Sequence, residues 1–264
     1  PPPGRGRAAP ERPAPMEPTL RRFEDPRWRA NSWLLAERDG GGAVVIDSGG
    51  PLDGLLAEVR ARRLRVTHVL NTHHHFDHTA GNRRLAEATG ARVCAHLLDA
   101  PLIDGPVEPL EDGGMVTSGG LRIRVLHIPG HTAGQAAFLA DDRICFTGDT
   151  LFRGSVGSTT APGHTSFNDL RRSLRRLLAL PDAVQVAPGH ALPSSIGEER
   201  AANPFLRVLE GRDPEGTETA VYEGRPVRLV VLARDYDGGS KAWVRFEDGT
   251  EATVPGSRIR RASA

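Results

Sequence analysis

The chain has 264 residues, of which 38% are hydrophobic and 25% charged, and its formal net charge is +1 at pH 7. This composition is ordinary for a globular protein with a sizeable core, and a nearly neutral chain is a poor match for nucleic acid or an anionic membrane surface. No apolar run approaches the roughly 18 residues that span a bilayer, and the N-terminal region lacks the apolar segment of a signal peptide, so we predict a cytoplasmic protein without nucleic-acid or membrane partners.

The first two predicted regions are a leader and a large α/β domain. Residues 1–15 are rich in proline, arginine and alanine, and we predict that they form a disordered leader. Residues 16–210 contain alternating strand and helix patterns, which is typical of an α/β catalytic domain. Predicted strands lie in NSWLLAE, GAVVIDSGG, RVTHVLN, ARVCAH, GLRIRVLHIPG, QAAFLAD, RICFTGD and DAVQVAPGH. Predicted helices lie in PLDGLLAEVRARRL, GNRRLAEATG and SFNDLRRSLRRLLAL, with Ser166 or Asn168 as the cap of the last.

The C-terminal region has a different character. A hinge-like segment, EGRDPEGTET, precedes residues 218–264, where short strand patterns alternate with the turn signals DGG and EDGT. We predict a small β-rich, SH3-like domain. The sequence leaves open whether this domain docks on the catalytic domain or supports a homodimer.

An unusual cluster of metal-binding residue types follows the strand pattern RVTHVLN. Positions 73–78 hold four histidines and one aspartate, and further candidates follow later strands in IPGHTAG, FTGDTLF and APGHALP. Each later motif alone is more often an ordinary turn. Together they are not, because residues beyond the strand ends of an α/β sheet gather at one edge, and such N and O donors suit one or two divalent ions. The candidate ligands are His73, His75, Asp77, His78, His131, Asp149 and His190.

The stretch THHHFDH carries the H-x-H-x-D-H pattern of the metallo-β-lactamase superfamily, and the chain resembles that family from about residue 17 to residue 205. With THHHFDHTAGN, PGHTAG and FTGDTLFRG, it most resembles glyoxalase II and its shorter bacterial relatives. The resemblance implies a four-layer αβ/βα sandwich, here with a small β-rich C-terminal appendage. It leaves His74 and Phe76 at variable positions of the motif.

The resemblance also implies two metal sites that share one ligand. Zinc is the default ion, with iron or manganese as alternatives. The implied ligands are His73, His75, His131 and Asp149 for metal one, and Asp77, His78, His190 and the same Asp149 for metal two.

The activity implied by the resemblance is hydrolysis of a small-molecule substrate. A metal-bound hydroxide would attack a carbonyl, and Asp77 would orient the hydroxide or carry a proton to the leaving group. A thioester such as a hydroxyacyl-glutathione is the leading substrate.

Alternative activities remain open within the same family. A lactone hydrolase would use the same metals, whereas a persulfide dioxygenase would use a single iron. A β-lactamase is less expected, because true β-lactamases of the family do not use a bridging aspartate such as Asp149. Glutathione recognition is also open, because Ser158 and Thr160 stand where glyoxalase II has a basic and an acidic residue, and the tail is not helical.

Overall fold

The N-terminal half of the protein forms one mixed sheet. The computed structural model describes residues 17–261, so the predicted leader lies outside the described residues. The first three strands pair antiparallel and the rest pair parallel. In spatial order the strands are β1 (Thr19–Glu24), β2 (Asn31–Ala36), β3 (Gly42–Ile46), β4 (Arg65–Asn71), β5 (Arg92–His96) and β6 (Glu108–Leu110).

A second six-stranded sheet packs face to face against the first. Its strands are β7 (Met115–Ser118), β8 (Leu121–His127), β9 (Ala136–Ala140), β10 (Ile144–Gly148), β13 (Gln185–Pro188) and β14 (Ser194–Ser195), adjacent in that order. Between β10 and β13 the chain forms a short hairpin of β11 (Leu151–Phe152) and β12 (Ser155–Val156). The β10–β13 pair is parallel, so both strands end at the same edge of the sheet.

Helices cover the outer face of each sheet. Leu34 and Val45 face α1 (Leu52–Ala61) and α3 (Asn82–Thr89) on one side, whereas Trp33 and Ile46, one position away, face the second sheet. The other outer face is covered by α4 (Phe167–Leu178), α5 (Ile196–Ala202) and α6 (Pro204–Leu209). The predicted four-layer αβ/βα sandwich is confirmed, and strands buried on both faces explain the almost continuous apolar runs in the sequence.

The predicted β-rich tail is a five-stranded antiparallel sheet. Its DGG and EDGT turns lie between strands, as predicted, although the division into domains at 16–210 and 218–264 stays a prediction. In spatial order the strands are β18 (Glu251–Pro255), β17 (Ser240–Phe246), β16 (Arg225–Arg234), β15 (Thr219–Tyr222) and β19 (Ile259–Arg261).

The tail docks on the catalytic region through both apolar and polar contacts. Trp243 is buried and lies 4.7 Å from Phe167 of α4, measured between ring centroids. The Thr253 hydroxyl donates a hydrogen bond of 2.6 Å to the carbonyl of Gly157. Arg171 of α4 is half-buried and paired with Glu251 of the tail. Of the two alternatives left open by the sequence, docking of the tail on the catalytic region is therefore the one observed within this chain.

Several short elements were not predicted from the sequence. They are β1, β6, β7, the β11–β12 hairpin, β14, α5, α6, a one-turn helix α2 (Phe76–Thr79) and two short 3₁₀ segments, Ala100–Leu102 and Gly256–Arg258. Most of them have six residues or fewer, too few to display a clear hydrophobic period. Within residues 17–261, no helix has the length and apolar character needed to cross a membrane.

Ser166, one of the two predicted caps, is the N-cap of α4. Its hydroxyl accepts a hydrogen bond of 3.1 Å from the amide of Asp169, whereas Asn168 lies exposed in the first turn. Ser166→Ala should therefore lower the free energy of unfolding by about 1 kcal/mol. Asn168→Ala should leave it unchanged or slightly raised, because alanine has the higher helix propensity. Urea unfolding of both variants checks this, and equal losses in the two would contradict the assignment of the cap.

Candidate metal centre

All seven candidate ligands lie together at one edge of the sandwich. Four follow β4, two of them in the loop after the strand and two in α2. The other three follow β8, β10 and β13. A contact across the two sheets closes this edge, because the amide of Asn31 in β2 donates a hydrogen bond of 2.7 Å to the carbonyl of Gly189.

Three histidines form the first group of donors. His75 Nδ1 lies 3.0 Å from His73 Nε2 and 3.1 Å from His131 Nε2. Such nitrogen–nitrogen distances are close to the roughly 3.3–3.4 Å that separates two ligands held at about 2.0–2.1 Å by one tetrahedral ion. The three nitrogens therefore have the geometry of one metal site.

Asp77, His78 and His190 form the second group. His78 Nε2 lies 3.3 Å from His190 Nε2, and Asp77 Oδ2 lies 3.5 Å from each of these nitrogens. The three atoms again satisfy the spacing of ligands to a common ion.

Asp149 lies between the two groups. Its Oδ2 is 3.5 Å from His131 Nε2 of the first group and 3.4 Å from His190 Nε2 of the second, and its Oδ1 is 3.5 Å from His78 Nε2. A single carboxylate can therefore reach both groups. The structure brings together every residue of the predicted set, and their role as ligands stays a prediction.

The tautomers of the histidines are fixed by acceptors behind the rings. His75 Nε2 donates to the carbonyl of Pro162 at 2.8 Å, and His131 Nδ1 donates to the carbonyl of Ser158 at 2.9 Å. A carbonyl only accepts, so the opposite nitrogen of each ring carries a lone pair. Those two lone pairs face one another at 3.1 Å, and a shared cation is what makes such an arrangement favourable.

The centre also passes a second test of its fit to metal. Asp149 Oδ1 is buried and accepts no hydrogen bond from any residue between 17 and 261. Gly189 lies against the same oxygen, and a Cβ there would clash with it and crowd the ring of His78. An ionised oxygen without a donor is costly in a protein interior, whereas a divalent cation satisfies it. Imidazole and carboxylate together suit zinc, iron or manganese.

Burial and the shared carboxylate shift the pKa values of the centre in opposite directions. Burial lowers the pKa of His131 to about 4 and holds that of His73 well below its usual range. At His190 burial also acts to lower the pKa, but the Asp149 carboxylate raises it to about 10. His73 and His131 are therefore neutral at pH 7, as metal ligands must be, and a cation that binds His190 has to displace its proton.

Asp47 is a supporting residue that sequence reasoning missed. It is buried at the end of β3 and accepts hydrogen bonds from the Thr72 amide at 2.7 Å, the Thr72 hydroxyl at 2.8 Å and His78 Nδ1 at 2.9 Å. Because the Thr72 hydroxyl is donated to Asp47, its oxygen can accept from His73 Nδ1, 3.0 Å away. One carboxylate thus orients a histidine of each group. Its sequence signal was an aspartate directly after the buried run AVVI.

Asp99 is a second supporting carboxylate, and it connects two loops. Its Oδ2 accepts from the His74 amide at 3.0 Å and from the Thr132 hydroxyl at 2.8 Å, and its Oδ1 accepts from the Gly134 amide at 2.7 Å. His74, which was not predicted to be a ligand, is turned away from the centre and contacts the same carboxylate through Nδ1 at 2.9 Å. Asp99 therefore ties the loop after β4 to the loop that carries His131.

A cavity of about 370 Å³ opens over the metal centre. Ser158 and Thr160 line one side, with their hydroxyl oxygens 3.0 Å apart. The lining also includes Phe152 and four residues of the tail, which are Tyr236, Lys241, Pro255 and Arg258. The contribution of the tail was not predicted, because no local pattern in the sequence reports that contact.

A four-layer αβ/βα sandwich with two groups of histidines and carboxylates around one shared aspartate defines a class of metal-dependent hydrolases. Residues 25–190 match the family model of the metallo-beta-lactamase superfamily. The chain belongs to that superfamily.

The chain is also similar to several individual proteins. The hydroxyacylglutathione hydrolase of Methylococcus capsulatus is 35% identical over 233 residues, which cover 74% of this chain and 86% of that one. The crystal structure of TTHA1623 in a di-iron-bound form is 36% identical, with a TM-score of 0.62 over 72% of this chain and 100% of that chain. The crystal structure of ETHE1 from Myxococcus xanthus is 30% identical, with a TM-score of 0.63 over 74% of this chain and 91% of that chain.

Proposed function

We propose that the protein is a dinuclear metal-dependent hydrolase of thioesters such as hydroxyacyl-glutathione. The observation that carries the proposal is the position of Asp149, whose two oxygens lie 3.4–3.5 Å from nitrogens of both histidine groups. A carboxylate in that position would be a ligand to two ions, as in two-metal hydrolases. The likeness to the M. capsulatus hydroxyacylglutathione hydrolase supports a thioester as the substrate.

The proposed ligands follow the two groups of donors. Zinc is the default ion, and the di-iron form of TTHA1623 makes iron the main alternative for the same donors. The proposed ligands are His73, His75, His131 and Asp149 for one ion, and Asp77, His78, His190 and Asp149 for the other.

Two divalent cations held by these residues would supply Lewis acidity, lowering the pKa of water and polarising a carbonyl. The chain itself provides the acceptor for the proton. Asp77 lines the cavity and is only partly buried, so one of its oxygens can reach a water there. As water adds to the carbonyl carbon, Asp77 takes its proton. When the carbon–sulfur bond breaks, Asp77 returns that proton to the departing thiolate.

The cavity residues available to the thiol portion of a thioester substrate differ from those expected for glyoxalase II. Ser158 and Thr160 offer hydroxyl groups rather than a pair of opposite charges. The charged side chains nearby come instead from the tail, as Lys241 and Arg258. We therefore propose the thioester bond as the reacting group.

A second candidate is the mononuclear-iron persulfide dioxygenase, and the likeness to ETHE1 from M. xanthus is the observation that favours it. The two candidates differ in metal number and in their need for oxygen. A hydrolase needs two ions and no oxygen, whereas the dioxygenase needs one iron and consumes oxygen.

The test is hydrolysis of S-D-lactoylglutathione by the full chain loaded with zinc, manganese or iron, with the metal content of each sample measured. We expect loss of the thioester absorbance, under nitrogen as well as in air, by protein that holds two ions. Oxygen uptake with glutathione persulfide by protein that holds one iron, without thioester loss, would establish the second candidate instead. Inactivity on this thioester with turnover of a lactone would move the assignment to the lactone hydrolase.

A further inference from the structure

The tail reaches the metal centre through the turn between β16 and β17. Tyr236, in this turn, stacks on the ring of His190 with centroids 4.3 Å apart and an interplanar angle of 15°. Its ring also meets Phe152 edge to face at 5.2 Å. Tyr236 thus contacts a proposed metal ligand although it lies 46 positions further along the chain.

The position of Tyr236 is fixed by a buried ion pair next to it. Asp235 accepts a hydrogen bond of 2.8 Å from the hydroxyl of Ser155 in β12, and its other oxygen lies 3.0 Å from Lys241 Nζ. Both charged side chains are almost completely buried, at 6% and 7% exposure. Moving the turn away would separate this pair and leave a buried charge without its partner, which is strongly destabilising. The turn is therefore built to hold one conformation against the hairpin.

The hydroxyl of Tyr236 has no structural role that its contacts show. It forms no hydrogen bond with the part of the chain that the structure describes, and Tyr236 lines the same cavity as Asp77 and His131. A phenol is protonated at neutral pH and can donate a hydrogen bond. The hydroxyl is therefore available to a molecule that binds in the cavity.

We propose that Tyr236 is a substrate-contacting residue of the active site, whose hydroxyl donates a hydrogen bond to the acyl oxygen of the substrate. The small β-rich domain thereby completes the active site of the catalytic domain. The acyl-thioester part of this inference rests on the proposed function. The same hydrogen bond would form with any other molecule that places an oxygen atom at the proposed metal centre.

As the carbonyl carbon is attacked, negative charge develops on the acyl oxygen. A preformed donor aimed at that oxygen acts where the charge develops, and loss of one such donor commonly costs about 100- to 1,000-fold in turnover. The ions would share this task, so the effect of Tyr236 should be smaller. We expect about a 10- to 100-fold loss of kcat/KM when its hydroxyl is removed.

The test compares Tyr236→Phe with Tyr222→Phe, which changes the other tyrosine of the chain, in the same tail but away from the metal centre. Two quantities are measured on zinc-loaded full-length protein: kcat/KM for S-D-lactoylglutathione, and the dissociation constant of acetohydroxamate by calorimetry. Tyr236→Phe should lower the first about 10- to 100-fold and weaken the second about 3- to 10-fold. Zinc content should not change, and Tyr222→Phe should match the wild type in both.

The inference is wrong if Tyr236→Phe equals the wild type in both measurements, or if Tyr222→Phe loses as much, since the effect would then come from the stability of the tail. A wild type that binds acetohydroxamate in a Tyr236-dependent manner, but does not hydrolyse the thioester, would refute the thioesterase proposal alone.

Discussion

Replacement of Asp149 by alanine is expected to remove metal from both sites and to abolish hydrolysis. Its oxygens lie close to nitrogens of both histidine groups, so neither site keeps a full set of ligands without it. Loss of a group that only orients a ligand costs about 10- to 100-fold in metal affinity or activity. Loss of a shared ligand should exceed this, so we expect activity to fall by more than about 100-fold and bound metal to fall from two equivalents to below one.

Metal analysis after dialysis and the rate on S-D-lactoylglutathione provide the two measurements. Asp104→Ala is the matched control, because Asp104 is an exposed aspartate away from the metal centre. It should behave like the wild type. An Asp149→Ala protein that kept two equivalents of metal and full activity would refute the bridging role and, with it, the dinuclear hydrolase.

The second large effect is expected at Asp47, which touches no proposed metal ion. Asp47→Asn preserves the shape of the side chain, and asparagine tolerates the positive φ of 56° at this position. The amide cannot accept from Thr72 and His78 as the carboxylate does, so one hydrogen bond becomes a donor–donor contact. We expect metal affinity at the site that includes His78 to fall by about 10- to 100-fold, with a matching loss of activity at limiting metal.

A zinc titration with a competing chelator resolves the two affinities. The control is Asp53→Asn, which changes an exposed carboxylate in the first turn of α1. Excess zinc should restore part of the activity of Asp47→Asn, because the ligands themselves remain. Unchanged zinc affinity in Asp47→Asn would show that the carboxylate does not hold His78 in place.

The parts of the site that follow one another in the chain were predictable. The predicted strand RVTHVLN coincides with β4, Arg65–Asn71, and the cluster of histidines follows at once. Histidines are rarely placed side by side without a common partner, so composition and spacing alone indicated a metal. His131, Asp149 and His190 were found in the same way, because each follows a strand next to glycine or proline.

The parts of the site that depend on packing between distant segments were not predictable. Asp47 and Asp99 are single aspartates after strands, and a lone aspartate in that position is usually a turn or cap residue. Their roles appear only when the sheets bring them to Thr72 and His74, which lie 25 positions away in each case. Tyr236 required the docking of the whole tail, for which no periodic pattern exists.

The buried pair of Asp235 and Lys241 has a consequence for how this protein could acquire new substrates. It holds a short turn over the proposed metal centre without providing any of the seven predicted ligands, so the candidate metal ligands and this part of the cavity wall are encoded in separate stretches of sequence. Substitutions in residues 237–239 can shift Tyr236 in the cavity wall while the seven candidate ligands stay unchanged. Natural variation and laboratory libraries confined to this turn should therefore yield altered substrate preference at little cost in metal binding.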